Sequence, residues 1–176
     1  MDRHWLRISL VAQILLAAYF QLVVRVPLGG WNYQPGSAPL LSQWSDGALS
    51  AEELLGSLLF LLPVVLFSIA FWRRYRWLMW VGLVGYSVWL ILQIKTWWIA
   101  YLFGASDAWF ATYQRVFSAS TKVLPSFGRH LAPDGLHFVL QILLTATVVS
   151  LFLGLLASLR RSKSVHSAPA SHSLHD

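Results

Sequence analysis

The stretch that decides the fold is LHFVLQILLTATVVSLFLGLLASL, residues Leu136–Leu159, which contains no Asp, Glu, Lys or Arg. A span of about 20 apolar residues matches the hydrocarbon core of a bilayer at a helical rise of about 1.5 Å per residue. Backbone N–H and C=O groups inside lipid need partners within their own segment. A stretch of this length therefore predicts a transmembrane helix rather than a strand.

Three further stretches of the same kind precede it, at Ile8–Val26, Leu54–Trp72 and Trp77–Phe103. The hydrophobic share of 57% and the charged share of 11% lie on opposite sides of the soluble averages of about 45–50% and about 25%. We therefore predict an all-α fold, an integral membrane four-helix bundle over residues 1–161. The first stretch is longer than the apolar core of a signal peptide, about 7–15 residues, so we interpret it as a retained helix.

The basic residues indicate the orientation of this bundle, because Lys and Arg beside span ends mark the cytoplasmic side. Eight of the 13 Lys and Arg residues fall on one side, at Arg3, Arg7, Arg73, Arg74, Arg76, Arg160, Arg161 and Lys163. Both termini are therefore expected in the cytoplasm, and the brevity of the chain favours a bacterial cytoplasmic (inner) membrane. Residues 162–176, rich in Ser and His, are expected to form a disordered cytoplasmic tail.

The loop between the third and fourth spans contains a helix of another kind. Ser106 and Asp107 are suitable N-cap residues, and apolar residues then recur at helical spacing as far as Leu124. The intervening face carries hydroxyl groups and basic residues. This pattern predicts an amphipathic interfacial helix over about residues 107–124, lying on the outer membrane surface.

One candidate site consists of His130, Asp134 and His137, whose side chains could bind a metal ion or serve as general acid and base. Spacings of four and three would align them on a continuous helix, but Pro133 and Gly135 disfavour that continuity. We expect Asp134 to cap the fourth span instead, and we predict no metal and no cofactor. The absence of cysteine excludes disulfides, thiol redox chemistry and Fe–S clusters.

Polar residues near the outer boundary form a second candidate site, for a ligand or a lipid head group. A charge at the depth of Lys95 is costly unless it snorkels to the interface or finds a partner. Glu52, Glu53 or Asp134 could supply such a partner in a mixed cluster. The candidate ligand- or lipid-binding residues are Arg25, Gln93, Lys95, Arg115, Lys122, Arg129 and Gln141.

A stripe of small residues occupies the fourth span at four-residue spacing, at Ala146, Ser150, Gly154 and Ser158. Small side chains let a neighbouring helix approach closely in lipid. We expect the stripe to pack within the bundle; contact with another subunit is the alternative. The predicted partners are membrane lipids and a homo-oligomer or larger membrane complex. The scattered basic residues predict no nucleic-acid binding.

The spans contain no Asp, Glu or His near the bilayer centre, although proton-coupled transport and ion conduction depend on such groups or on a polar lining. Our leading hypothesis is a non-enzymatic accessory, assembly or lipid-contacting subunit that acts through its outer face. The alternative is a small membrane enzyme acting on a lipid or lipid-linked substrate at the outer leaflet, with His130, Asp134 and His137 as catalytic groups. A second alternative is an oligomeric transport component, for which Gln93 and Lys95 would be tested first.

Overall fold

The computed structural model describes residues 3–25, 28–31, 51–73 and 75–166. The helices in those ranges are α1 (Arg3–Arg25), α2 (Ala51–Arg73), α3 (Arg76–Phe103), α4 (Asp107–Val116) and α5 (Gly135–His166). The described residues form no strand, and their extended pairing consists of isolated bridges. The predicted all-α fold is therefore confirmed for the part of the chain that the structure describes.

Within the described ranges, three helical segments are long and apolar enough to cross a membrane, namely His4–Val23, Arg76–Phe103 and Gly135–Arg160. They coincide with the first, third and fourth stretches expected from the sequence. α2 includes the shorter apolar segment Leu61–Arg73 within a helix of 23 residues. The chain is thus an integral membrane protein by the length and composition of its helices.

The long helices pack in a defined order. The most extensive contact joins α1 to α5, α3 also packs on α5, and α2 contacts both α1 and α3. A buried cluster near the Arg73 end includes residues from all four long helices: Leu6, Phe67, Ala70, Met79, Leu83, Leu151 and Leu155. The next cluster, Leu16, Tyr86, Leu140 and Leu144, includes residues from α1, α3 and α5. α2 therefore joins the other three long helices in a shared core at the Arg73 end.

Gly154 sets how closely α1 approaches α5. A Cβ atom added to Gly154 would lie 2.6 Å from Cδ2 of Leu6 and 3.3 Å from the backbone nitrogen of Leu6. Ser150 and Ser158 from the same stripe are buried, whereas Ala146 is exposed. Three of the four small residues thus lie inside the chain, and one lies at its surface.

α3 contains one π-helical turn, Ile94–Trp98, between the α-helical segments Arg76–Gln93 and Ile99–Phe103. A π turn follows an i→i+5 hydrogen-bond pattern, so it rotates the side chains that follow it relative to a regular helix. Trp97 is 2% exposed in this turn. Trp98 lies beside α5, where its indole bonds Gln141. The two tryptophans therefore have different roles: Trp97 packs in the buried interior, and Trp98 bonds α3 to α5.

α4 begins as the sequence predicts, because the Ser106 Oγ accepts a hydrogen bond from the backbone N–H of Trp109 at 3.3 Å. It ends at Val116, whereas the predicted helix extended to about residue 124. The Ser120 hydroxyl donates to the Phe117 carbonyl at 2.7 Å. Serine side chains compete in this way with helical backbone bonds, so the chain turns where the apolar spacing alone suggested further helix.

α5 continues to His166, beyond the predicted end of the fourth span at Leu159. Ser162–His166 is therefore helical, although the sequence predicted that the disordered tail begins at residue 162. Basic residues near a helix carboxyl end interact favourably with the helix dipole, which accounts for the extension. Residues 167–176 of the predicted tail lie outside the described residues.

Candidate functional site

Asp134 and His137 meet at the amino end of α5. Asp134 is 1% exposed, and its Oδ1 accepts a hydrogen bond from the backbone N–H of His137 at 2.8 Å. The predicted capping role of Asp134 is therefore confirmed. The same oxygen lies 2.8 Å from His137 Nδ1, so the carboxylate also orients the imidazole ring.

Aromatic side chains cover the His137 imidazole and form what we call the aromatic cap: Trp97, Trp109, Tyr113 and Phe117. The Trp97 ring centroid lies 4.4 Å from that of His137, and the Phe117 ring meets the imidazole edge-on at 5.6 Å. The Tyr113 hydroxyl is anchored by donating to the Ala132 carbonyl at 2.8 Å. The side chain of His137 is 18% exposed. The pair thus lies under packed rings and does not line an open cleft.

His130 is held apart from this pair. Its Nδ1 lies 2.8 Å from the carbonyl oxygen of Tyr101, and its backbone pairs with that of Phe127 in a short turn. Among the described residues, no three His, Asp or Glu side chains are grouped so that they could hold a metal ion. The structure therefore brings together two of the three candidate catalytic residues, Asp134 and His137, and not the third.

Lys122, a candidate ligand-binding cation, is engaged by the chain itself. Its Nζ donates to three backbone carbonyls that follow α4, those of Phe117, Ser118 and Ser120, at 3.3, 2.9 and 3.2 Å. The ammonium also lies 5.6 Å from the centroid of the Tyr113 ring. The cation therefore holds together the turn that follows α4.

Arg129 is engaged in a similar way. It forms an ion pair with Asp107 at the start of α4, and its guanidinium lies 5.8 Å from the centroid of the Phe110 ring. The backbone carbonyl of Arg129 also accepts from the N–H of Ala105 at 2.8 Å. Arg129 thus holds the loop before α5 against α4.

Among the described residues, the remaining candidate cations form no mixed cluster with an acidic side chain. Lys95 and Arg115 are exposed and form no ion pair with another described residue. The carboxylate of Asp134 bonds His137 rather than a Lys or Arg. The side chains of Arg25, Glu52 and Glu53 lie outside the described residues.

Gln93 and Gln141 are the candidates that retain unused hydrogen-bonding capacity. Gln141 is 5% exposed, and its Oε1 accepts from the Trp98 indole N–H at 2.5 Å. Its Nε2 and the Oε1 of Gln93 are buried without a partner among the described residues. A buried polar group left unpaired costs about 1–3 kcal/mol, so both amides are notable in a membrane helix.

A groove that the sequence analysis missed, here called the central groove, lies between α1, α2 and α3 and has a volume of about 510 Å³. Two of the residues that line it, Leu62 and Val81, are 53% and 58% exposed, so the groove opens on the lipid-facing surface. Gly82 and Gly85 lie along its α3 wall. A Cβ atom added to either glycine would meet nothing within 4 Å, so packing within the chain does not require glycine at these positions.

Two polar side chains that line the central groove, Gln13 and Tyr86, bond each other, and Gln13 also bonds Ser9. The Tyr86 hydroxyl donates to Gln13 Oε1 at 3.1 Å, and Gln13 Nε2 donates to Ser9 Oγ at 3.2 Å. Gln13 and Ser9 are fully buried. The Gly-x-x-Gly spacing of Gly82 and Gly85 is visible in the sequence, but the pairing of Gln13 with Tyr86 across helices has no local signal.

The chain was compared with family models, curated proteins and solved structures, and nothing matches it. The functional conclusion therefore rests on the geometry described above: a closely packed aromatic cap and an open groove along the apolar surface.

Proposed function

We propose that this chain is a non-enzymatic integral membrane protein, an accessory subunit that holds a membrane lipid in its central groove. The observation that carries the proposal is the groove itself, whose volume of about 510 Å³ falls within the range of about 300–1,000 Å³ typical of ligand sites. Its walls are apolar, and its polar groups Gln13 and Tyr86 bond each other. Hydrocarbon therefore suits it better than a polar solute.

An acyl chain fits this groove better than a partner helix does. A transmembrane helix about 10 Å wide and about 30 Å long occupies on the order of 2,000 Å³, several times the volume of the groove. Gly82 and Gly85 add to the argument, because glycine weakens a helix by about 1 kcal/mol relative to alanine. The chain's own packing leaves the space beside both glycines open. An occupant from outside the chain therefore accounts for glycine at these positions.

The membrane topology that accompanies this function is four crossings with both termini in the cytoplasm of a bacterial cell. Support comes from α2, whose 23 residues span about 34 Å at about 1.5 Å per residue, and from the distribution of Lys and Arg. The aromatic cap then lies outside, with α4 as the interfacial helix. Phe103 and Phe127, 80% and 63% exposed, suit contact with the head-group region or with a larger membrane complex.

The proposal is tested by a substitution that fills the central groove. Gly85→Leu introduces a side chain where a Cβ meets nothing within 4 Å, and Val84→Leu is the matched control because Val84 is 60% exposed and does not line the groove. Each protein is extracted with its surrounding lipid in polymer nanodiscs, and native mass spectrometry after release counts the retained lipids. We expect wild type and Val84→Leu to keep a tightly bound lipid and Gly85→Leu to lose it at unchanged thermal stability.

Equal lipid retention by all three proteins would contradict the proposal. Loss of a co-purifying protein from Gly85→Leu, with lipid retained, would instead identify the occupant as a partner helix.

A second candidate, a membrane enzyme acting at the outer leaflet, is favoured by one observation, the 2.8 Å contact of Asp134 with His137 Nδ1. A carboxylate held against Nδ1 leaves Nε2 as the reactive nitrogen of a general base. Against it, Lys122 and Arg129, two of the candidate ligand-binding cations, are engaged by backbone carbonyls and by Asp107 of the chain itself. His137→Phe keeps an aromatic ring under Trp97 and removes the base. An unchanged membrane lipid profile is expected; accumulation of one lipid species would favour the enzyme.

A further inference from the structure

A second groove, here called the Gln141 groove, lies on the surface between α3 and α5. Its volume is about 470 Å³, and its walls include Trp98, Phe138, Gln141, Thr145 and Ala146. Thr145 and Ala146 are exposed, so the groove opens toward lipid. Ala146, the surface member of the small-residue stripe, widens the groove on the α5 side.

The hydrogen bond from Trp98 fixes the orientation of the Gln141 amide. An indole N–H donates and cannot accept, so the Gln141 atom that lies 2.5 Å from Trp98 Nε1 must be the amide oxygen. The Nε2 atom, with two hydrogens, is then left without an acceptor among the described residues. Gln93 Oε1 does not serve, because it is itself unpartnered. The side chain that lines the groove, 5% exposed, therefore has an unused donor.

The depth of Gln141 in the membrane matches the depth of the ester groups of a glycerolipid. The segment Gly135–Arg160 has 26 residues and spans about 39 Å, about 9 Å more than the hydrocarbon core of about 30 Å. Sharing that excess equally leaves about 4–5 Å beyond each boundary. Gln141 lies six residues after Gly135, about 9 Å along the helix, and so about 4–5 Å inside the boundary. The ester groups of glycerolipids mark this boundary.

We propose that the Gln141 groove binds an acyl chain of an outer-leaflet glycerolipid and that Gln141 Nε2 donates a hydrogen bond to its ester carbonyl. An ester carbonyl oxygen accepts and cannot donate, which complements the unused amide donor. The hydrocarbon chain then lies along Phe138, Ile142 and Val149. The inference rests on the proposed lipid-contacting function and names the lipid class, but it concerns a site separate from the central groove.

The experiment compares two lipids that differ only in the carbonyl. Wild-type protein in detergent is given equal amounts of a diacyl phosphatidylglycerol and its dialkyl ether analogue, and native mass spectrometry counts the bound molecules. We expect the ester lipid to be preferred by about 3- to 10-fold, the ratio that one hydrogen bond within a membrane supplies. This comparison needs no variant. Equal binding of the two lipids would overturn the proposal.

Three variants locate the donor. Gln141→Met keeps the length of the side chain and removes the donor, so the ester preference should vanish. Thr145→Val removes the other hydroxyl or amide donor of the groove, and Gln93→Leu removes the unpartnered acceptor on α3; both should keep the preference. A preference that survives in Gln141→Met, or that either control abolishes, would overturn the assignment to Gln141.

The Gly85→Leu variant separates this inference from the proposed function. It should lose the lipid of the central groove and retain the ester preference of the Gln141 groove. Lipid loss from Gly85→Leu without any ester preference in the wild type would leave the proposed function standing and the Gln141 site refuted. The reverse result would refute the central groove alone.

Discussion

Gly154→Ala should destabilise the protein by about 1–2 kcal/mol. The added Cβ would lie 2.6 Å from Leu6 Cδ2 and 3.3 Å from the Leu6 backbone nitrogen. The side chain of Leu6 can move in response, whereas the backbone of α1 must shift as a whole. Overpacking of this kind costs about 1–3 kcal/mol, and replacing glycine by alanine in a helix recovers up to about 1 kcal/mol.

Gly82→Ala is the matched control, because a Cβ at Gly82 meets nothing within 4 Å. The same chemical change should there be neutral or stabilising by up to about 1 kcal/mol. The free energy of unfolding of both variants is measured by circular dichroism during titration of mixed micelles with a denaturing detergent. A double variant, Leu6→Ala with Gly154→Ala, should show coupling, because the removal of Leu6 also removes the clash.

Equal stability of Gly154→Ala and Gly82→Ala would refute the close approach of α1 to α5. Loss of a dimer from Gly154→Ala, with the stability of the monomer unchanged, would assign the small-residue stripe to a contact between subunits instead.

Three further predictions concern the hydrogen bonds of Tyr86 and of Lys122 and the titration of Tyr113. Tyr86→Phe leaves Gln13 Oε1 without its donor and should cost about 0.6–1.7 kcal/mol in the same unfolding assay, the range found for hydrogen bonds between membrane helices; an unchanged stability would show that this bond is absent. Lys122→Met removes the ammonium that bonds three carbonyls after α4, so the amides following α4 should exchange their hydrogens faster. Arg115→Met, at an exposed position, should leave that exchange unchanged. Burial of Tyr113 raises the pKa of its hydroxyl, and the nearby charge of Asp134 raises it further. The folded state therefore keeps that proton to a higher pH than the unfolded chain, so the stability from this group is complete below about pH 10 and declines above it. Tyr113→Phe should lack that decline in a comparison of unfolding at pH 9 and above, and an identical pH profile in both proteins would contradict the burial.

The helices were predictable because their signals are local. An uninterrupted apolar run such as Leu136–Leu159 can satisfy its backbone in lipid only as a helix, and the caps at Ser106 and Asp134 depend on residues within one turn. The end of α4 was not predictable from apolar spacing. The chain turns there because Lys122 and Ser120 bond the carbonyls of the residues that follow α4, and the side-chain direction that makes those bonds is not visible in the periodicity.

The candidate site was predictable only in part, for a related reason. His130, Asp134 and His137 are close in the sequence, but Tyr101 from another helix binds His130 and separates it from the other two. Tyr86 meets Gln13 across 73 residues of sequence, a relation that no spacing rule supplies. The central groove is lined by three different helices, and the Gln141 groove is lined by Trp98 from the π turn at Ile94–Trp98; both are properties of packing rather than of composition.

The most direct test is to measure on which side of the membrane each connection between helices lies. The chain has no cysteine, so single cysteines can be placed at five described positions, His4, Leu28, Tyr75, Ser118 and Arg160, all of them exposed. Labelling of intact cells with a membrane-impermeant maleimide should modify the cysteines at Leu28 and Ser118, and the other three only after the cells are permeabilised. Labelling of positions Tyr75 and Ser118 from the same side, or of Leu28 and Tyr75 from the same side, would contradict the proposed four crossings, on which both proposed lipid sites depend.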